Sequence, residues 1–87
     1  MLITSLDKSP KREREGLISH ILLQHGDTPG NNLAITWVEV APGHGQALHS
    51  HMPEQVYVVI AGKGRMRVGD DLADVKAGEL VFIPSNV

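Results

Sequence analysis

Short apolar runs alternate along the chain with clusters of Gly, Pro, Asn and Asp. The runs fall at residues 17–24, 33–40, 48–51, 55–61, 65–68, 72–75 and 80–83. Between them stands turn chemistry: Gly26-Asp27-Thr28-Pro29-Gly30-Asn31-Asn32, Pro42-Gly43-His44-Gly45, Gly62-Lys63-Gly64, Gly69-Asp70-Asp71 and Ala77-Gly78-Glu79. Leu33, Ile35 and Trp37 alternate with Ala34, Thr36 and Val38, a period of two that marks a strand. Short strands at even spacing predict an all-β sandwich or barrel.

The run at 56–61 differs from the others because it is apolar on both faces. Gln55, Tyr57, Val59 and Ala61 share one face, taken here as the inward one. The opposite face then needs a cover, either the N-terminal strand or a second subunit, and a homodimer is expected. Ahead of Gly16 no helix of useful length can form: Ser9-Pro10 can start one, but Gly16 stops it within a turn or two. Residues 1–15 therefore read as a charged leader and residues 16–87 as the folded domain.

Composition narrows the function classes. A chain of 87 residues holds one small domain with a limited core. With no cysteine, disulfide staples, thiolate ligands and cysteine nucleophiles are excluded. A metal or an oligomer remains as the staple. Eight Lys and Arg against ten Asp and Glu create no field that would draw nucleic acid or an anionic membrane. Lys8, Lys11, Arg12 and Arg14 are interleaved with Asp7, Glu13 and Glu15, the pattern of a solvated segment. The 56–61 run is far shorter than the roughly 20 residues of a spanning helix. Asp7 and Lys8 interrupt any secretory signal, so a soluble, cytoplasmic protein is expected.

The chemistry concentrates in residues 43–55. In a strand, side chains two apart lie on one face roughly 6–7 Å from each other. His49 and His51 therefore place two imidazoles side by side, and Gln55, after the break at Pro53, can add an amide oxygen. Imidazole suits Zn, Cu, Fe and Ni, and an oxygen donor extends the range to Mn. Glu54 is one position out of register and belongs to the opposite face.

Gly43, five residues, His49, one residue, His51, three residues, Gln55, six residues and Gly62 resemble the first conserved motif of the cupins. Gly78, five residues and Pro84 resemble the start of the second, and fifteen residues separate Gly62 from Gly78, similar to compact microbial cupins. The resemblance implies a cupin-type double-stranded jelly-roll barrel. It also implies a divalent transition metal (Mn, Fe, Ni or Zn) held by His49, His51 and Gln55, with Gln55 standing where the family's usual Glu stands. The family's remaining His would fall two residues beyond Val87, together with the last strands, so the barrel is expected to lack them. A neutral ligand set favours a Lewis-acid role, which points to isomerisation or ring opening of a sugar or uronate ahead of oxygen-dependent cleavage. The alternatives are a non-catalytic module for a small ligand or metal, and a truncated cupin with an incomplete site.

Other residues carry weaker signals. Trp37 and Tyr57 read as core or cavity wall. Arg65 and Arg67 alternate with Met66 and Val68 as a solvated face, unless they turn inward, where Arg67 would line the pocket and clamp a carboxylate. His44, in its Gly-His-Gly turn, is an accessory ligand, a rim residue or merely part of the turn. His20 and His25 belong to no ligand pattern. Gly62-Lys63-Gly64 is a hairpin turn and not a phosphate cradle, because no helix follows.

Overall fold

The first long apolar run acquires a neighbour on each side. A computed structural model describes residues 1–46 and 53–87. The chain divides into two units, Met1–Ala47 and Leu48–Val87. In the first, β2 (Leu17–Leu23) is the middle strand of a three-stranded antiparallel sheet between β1 (Lys11–Arg14) and β3 (Ile35–Val40). Every residue of β2 is half-buried, whereas β1 and β3 are exposed along their length.

The strand β1 lies within the segment expected to be a leader, and the boundary expected between residues 15 and 16 falls in its turn to β2. Lys-Arg-Glu-Arg carries no apolar alternation, so only pairing reveals it as a strand. Its register runs from Lys11 opposite His20 to Arg14 opposite Leu17. An edge strand made of charges discourages further strand addition. Glu15 and Gly16 form the turn, and Gly16 has a φ of 68°, a left-handed conformation that glycine adopts without the Cβ penalty. A short 3-10 turn at Leu6–Lys8 precedes β1.

β3 begins two residues later than its sequence pattern, because 24–34 form a closed loop around Asn31. The Asn31 amide oxygen accepts hydrogen bonds from the Gly26 N–H (3.2 Å), the Thr28 N–H (2.9 Å) and the Thr28 hydroxyl (3.1 Å). Its NH2 group donates to the Gln24 and Leu33 carbonyls, both at 3.0 Å. The Asp27 carboxylate adds a bond from the Gln24 N–H at 2.9 Å.

In the second unit, β4 (Gln55–Val58) pairs antiparallel with β7 (Leu80–Ile83), and β5 (Lys63–Val68) with β6 (Asp71–Lys76). Gly69 and Asp70 connect β5 to β6, with Gly69 at φ 59° in the first turn position, where a type II′ hairpin requires a positive φ. The β4–β7 ladder continues past Val58: the Val59 N–H donates to the Glu79 carbonyl and the Gly78 N–H to the Val59 carbonyl, at 2.9 and 2.8 Å. Ile83 is the buried apolar residue of the described chain, 8% exposed.

The architecture is all-β, in three sheets among the described residues. The strand expected at 48–51 lies outside the described residues. Among them, no helix is long and apolar enough to cross a membrane.

Candidate functional site

The period of two in β4 sorts its side chains as the sequence pattern predicts. Gln55, Tyr57 and Val59 are half-buried, while Val56, Val58 and Ile60 are exposed. Across the ladder Gln55 faces Ile83 and Tyr57 faces Val81. The inward face thus carries one amide and one phenol on an otherwise apolar surface. An amide oxygen on such a face is a neutral donor, a chemistry that fits one place in a transition-metal shell. His49 and His51, the other two donors expected, lie outside the described residues. Among the described residues, no three His, Asp or Glu side chains come together as a metal-binding group.

Arg67 is exposed, on the opposite side of β5 from half-buried Met66 and Val68. Its Nε donates to the Gly69 carbonyl at 3.0 Å, and Arg65 forms an ion pair with Asp74 across the hairpin at 3.1 Å. Both arginines are exposed and held along the β5–β6 hairpin by these contacts. An open hollow of about 620 Å3 lies in the same unit, lined by Met66, Val68, Val75, Val81 and Pro84 among others. Neither Gln55 nor Tyr57 lines it.

Trp37 and His44 belong to the first unit. Trp37 stands opposite His20 in the β2–β3 register. His44 rests on the β1–β2 turn, where a Cβ added to Gly16 would meet its ring and Cβ.

One feature of the first unit is absent from the sequence pattern. Lys11 and Glu13 on β1, His20 on β2 and Glu39 on β3 share one face of the sheet. Lys11 Nζ contacts Glu13 Oε1 at 2.6 Å, and His20 Nε2 lies 3.7 Å from Glu39 Oε2. The hydrogen bond to Glu13, followed by the attraction of its charge, raises the Lys11 ammonium above the ordinary lysine range. The same bond and the Lys11 charge hold the Glu13 carboxyl below the ordinary carboxylate range. Among the described residues, the buried His20 Nδ1 has no hydrogen-bond partner. The period of two along β1 aligns Lys11 with Glu13, and the register alone puts His20 and Glu39 on the same face.

The family model described as a cupin domain matches residues 36–87, well over half of the chain. The chain is a cupin. The matched span begins in β3 and takes in all of the second unit, so it includes Gly43, Gln55, Gly62, Gly78 and Pro84. For this cupin the all-β ladders are those of a jelly-roll fold, an architecture suited to a small ligand or a metal. Comparison with curated proteins and with solved structures gives no match.

Proposed function

We propose that this cupin binds a divalent transition metal (Mn, Fe, Ni or Zn) through His49, His51 and Gln55 and acts on a small polar substrate. The reaction class is isomerisation or ring opening of a sugar or uronate, ahead of oxygen-dependent cleavage. The observation that carries the reading is Gln55, half-buried on the inward face of β4 opposite Ile83, at the position where the cupin motif needs a ligand. A metal in this site would supply Lewis acidity toward a substrate oxygen. The neutral amide of Gln55 leaves more positive charge on such a site than a carboxylate does, which favours non-redox chemistry. Tyr57, on the same face, offers a phenol for orienting a substrate hydroxyl or carbonyl. Arg67, engaged with the Gly69 carbonyl, is not assigned to the pocket.

Turnover of a panel of uronates and small diketones, metal-loaded against metal-stripped, tests the reaction. Metal-dependent loss of a uronate supports it; a metal-bound chain inert toward the whole panel moves the assignment to a non-catalytic module. The open hollow of about 620 Å3, whose lining joins Met66, Val68 and Val81 to Asp70 and Asp71 and does not include Gln55, is what favours that second reading, as a seat for a small ligand.

The proposal takes the protein as cytoplasmic and homodimeric, with a small molecule rather than nucleic acid as its ligand. Support for the dimer comes from the outer face of the β4–β7 ladder. Val56, Val58, Ile60, Leu80 and Phe82 line it with exposures of 48–62%. Full burial of such side chains contributes about 1.5–3 kcal/mol each, so the face leaves roughly 4–8 kcal/mol unrealised. That equals much of the stability of a small domain. Light scattering after gel filtration should give twice the chain mass of 9.4 kDa, falling to 9.4 kDa in Val58→Glu. A wild-type mass of 9.4 kDa removes the dimer.

A further inference from the structure

The β5–β6 hairpin sorts its charges by face. Its register sets Gly64 opposite Val75, Met66 opposite Ala73 and Val68 opposite Asp71, so these residues share one side of the ladder. On the other side stand the hairpin's cations, Lys63, Arg65, Arg67 and Lys76, all exposed. Arg65 is paired there with Asp74, and Arg67 donates to the Gly69 carbonyl. The first side is a wall of the open hollow, to which it gives Met66, Val68, Asp71, Ala73 and Val75. Val81, Pro84 and Val87 add to the lining from β7 and the residues after it. A Cβ at Gly69 would lie 3.5 Å from Val87 Cγ1, so that segment reaches the hairpin turn. Asp70, in the turn, joins Asp71 in the lining, and among the described residues no Lys, Arg or His does. Neither carboxylate has a hydrogen bond or an ion pair among the described residues.

We propose that this hollow binds an organic ammonium ion with an apolar body, the hydrocarbon on Met66, Val68 and Val75 and the charged nitrogen at the carboxylates of Asp70 and Asp71. A largely apolar surface with a few polar groups at fixed places is the make-up of a small-molecule site, and here the charged groups have one sign. An anionic ligand would meet two carboxylates with no cation to offset them. A neutral apolar ligand would take water from the carboxylates without replacing it. An ammonium N–H donates to a carboxylate in a charge-assisted hydrogen bond, so it alone satisfies both parts of the lining. Met66 suits an aromatic body, because its thioether packs favourably against a ring edge. The inference deepens the reading of the hollow as a seat for a small ligand and rests on it; it is independent of His49, His51 and Gln55.

The test is an NMR titration of the chain, isotopically labelled at the methionine methyls, with three probes of similar body: phenethylammonium, phenethyl alcohol and hydrocinnamate. Met66 lines the hollow and Met1 does not, so the Met66 methyl is the reporter and the Met1 methyl its control. The expected result is a Met66 resonance that moves with phenethylammonium at an affinity about fivefold tighter than with the alcohol, as an exposed ion pair allows, and weakest with hydrocinnamate. Replacing Asp70 and Asp71 together by Asn should bring the ammonium to within about twofold of the alcohol. Asp74→Asn, on the other side of the hairpin, should keep the preference. Equal affinity for ammonium and alcohol in the wild type, or a preference that survives in the double variant, overturns the ammonium assignment and leaves the hollow as a seat. A Met66 methyl unmoved by all three probes removes the seat as well.

Discussion

Asn31 holds the β2–β3 loop through five hydrogen bonds, three accepted and two donated. Asn31→Ala removes all of them. Most of these groups lie at the surface, where water replaces lost partners, so each bond contributes about 0.5 kcal/mol and the total is about 2–3 kcal/mol. Asn31→Asp separates the two halves of the network. A carboxylate still accepts from Gly26 and Thr28, but it turns an oxygen toward the Gln24 and Leu33 carbonyls, at a cost of about 1–2 kcal/mol. Trp37, the single tryptophan, lies in β3 of the same unit and reports on it directly. With a urea dependence near 1 kcal/mol/M for a unit this small, its fluorescence midpoint should fall by about 2 M in Asn31→Ala and by about half that in Asn31→Asp. A midpoint within about 0.3 M of wild type in Asn31→Ala, or equal losses in the two variants, refutes the network as the loop's support.

Ile83 is the side chain with most to lose in the second unit: Ile83→Val should cost about 0.5–1.5 kcal/mol and Ile83→Ala about 2–5 kcal/mol in denaturant unfolding. Leu72→Ala, at a position 60% exposed, should stay within about 0.5 kcal/mol of wild type; equal costs at the two sites would contradict the burial. Hydrogen-bonded to Lys11, Glu13 titrates below the ordinary carboxylate range. Its stabilising contribution is therefore complete above that range and fades as the pH falls through the lowered midpoint. The Lys11 contribution runs the other way, complete below the ordinary lysine range and lost as the pH rises through its raised value. An NMR titration of the Glu13 carboxyl should move up to the ordinary range in Lys11→Met; an unmoved midpoint rules out the pairing.

What the sequence made legible was the part governed by local periodicity. The alternation in 35–40 and 55–61 identified two strands and put Gln55 and Tyr57 on one face. The turn glycines marked the breaks. Contacts between distant segments were out of reach. Lys11–Arg14 is a strand because it pairs with β2, not because of its own residues, which favour solvent as strongly in a leader as at a sheet edge. The partner of β4 is β7, across an intervening hairpin, and no local pattern selects it. The same limit hid the seat of His44 on Gly16 and the cluster of Lys11, Glu13, His20 and Glu39. For Arg67 the alternation with Met66 and Val68 already pointed to solvent, and the bond to the Gly69 carbonyl supplies the reason it stays there.

Metal stoichiometry of the purified chain bears most directly on the proposed function. After loading with Mn, Fe, Ni or Zn and removal of the excess, elemental analysis should find close to one equivalent per chain, and close to none when His49 and His51 are both replaced by Ala. A wild-type value near zero for all four metals, or undiminished uptake in the double variant, would contradict the assignment of His49, His51 and Gln55 as the ligands.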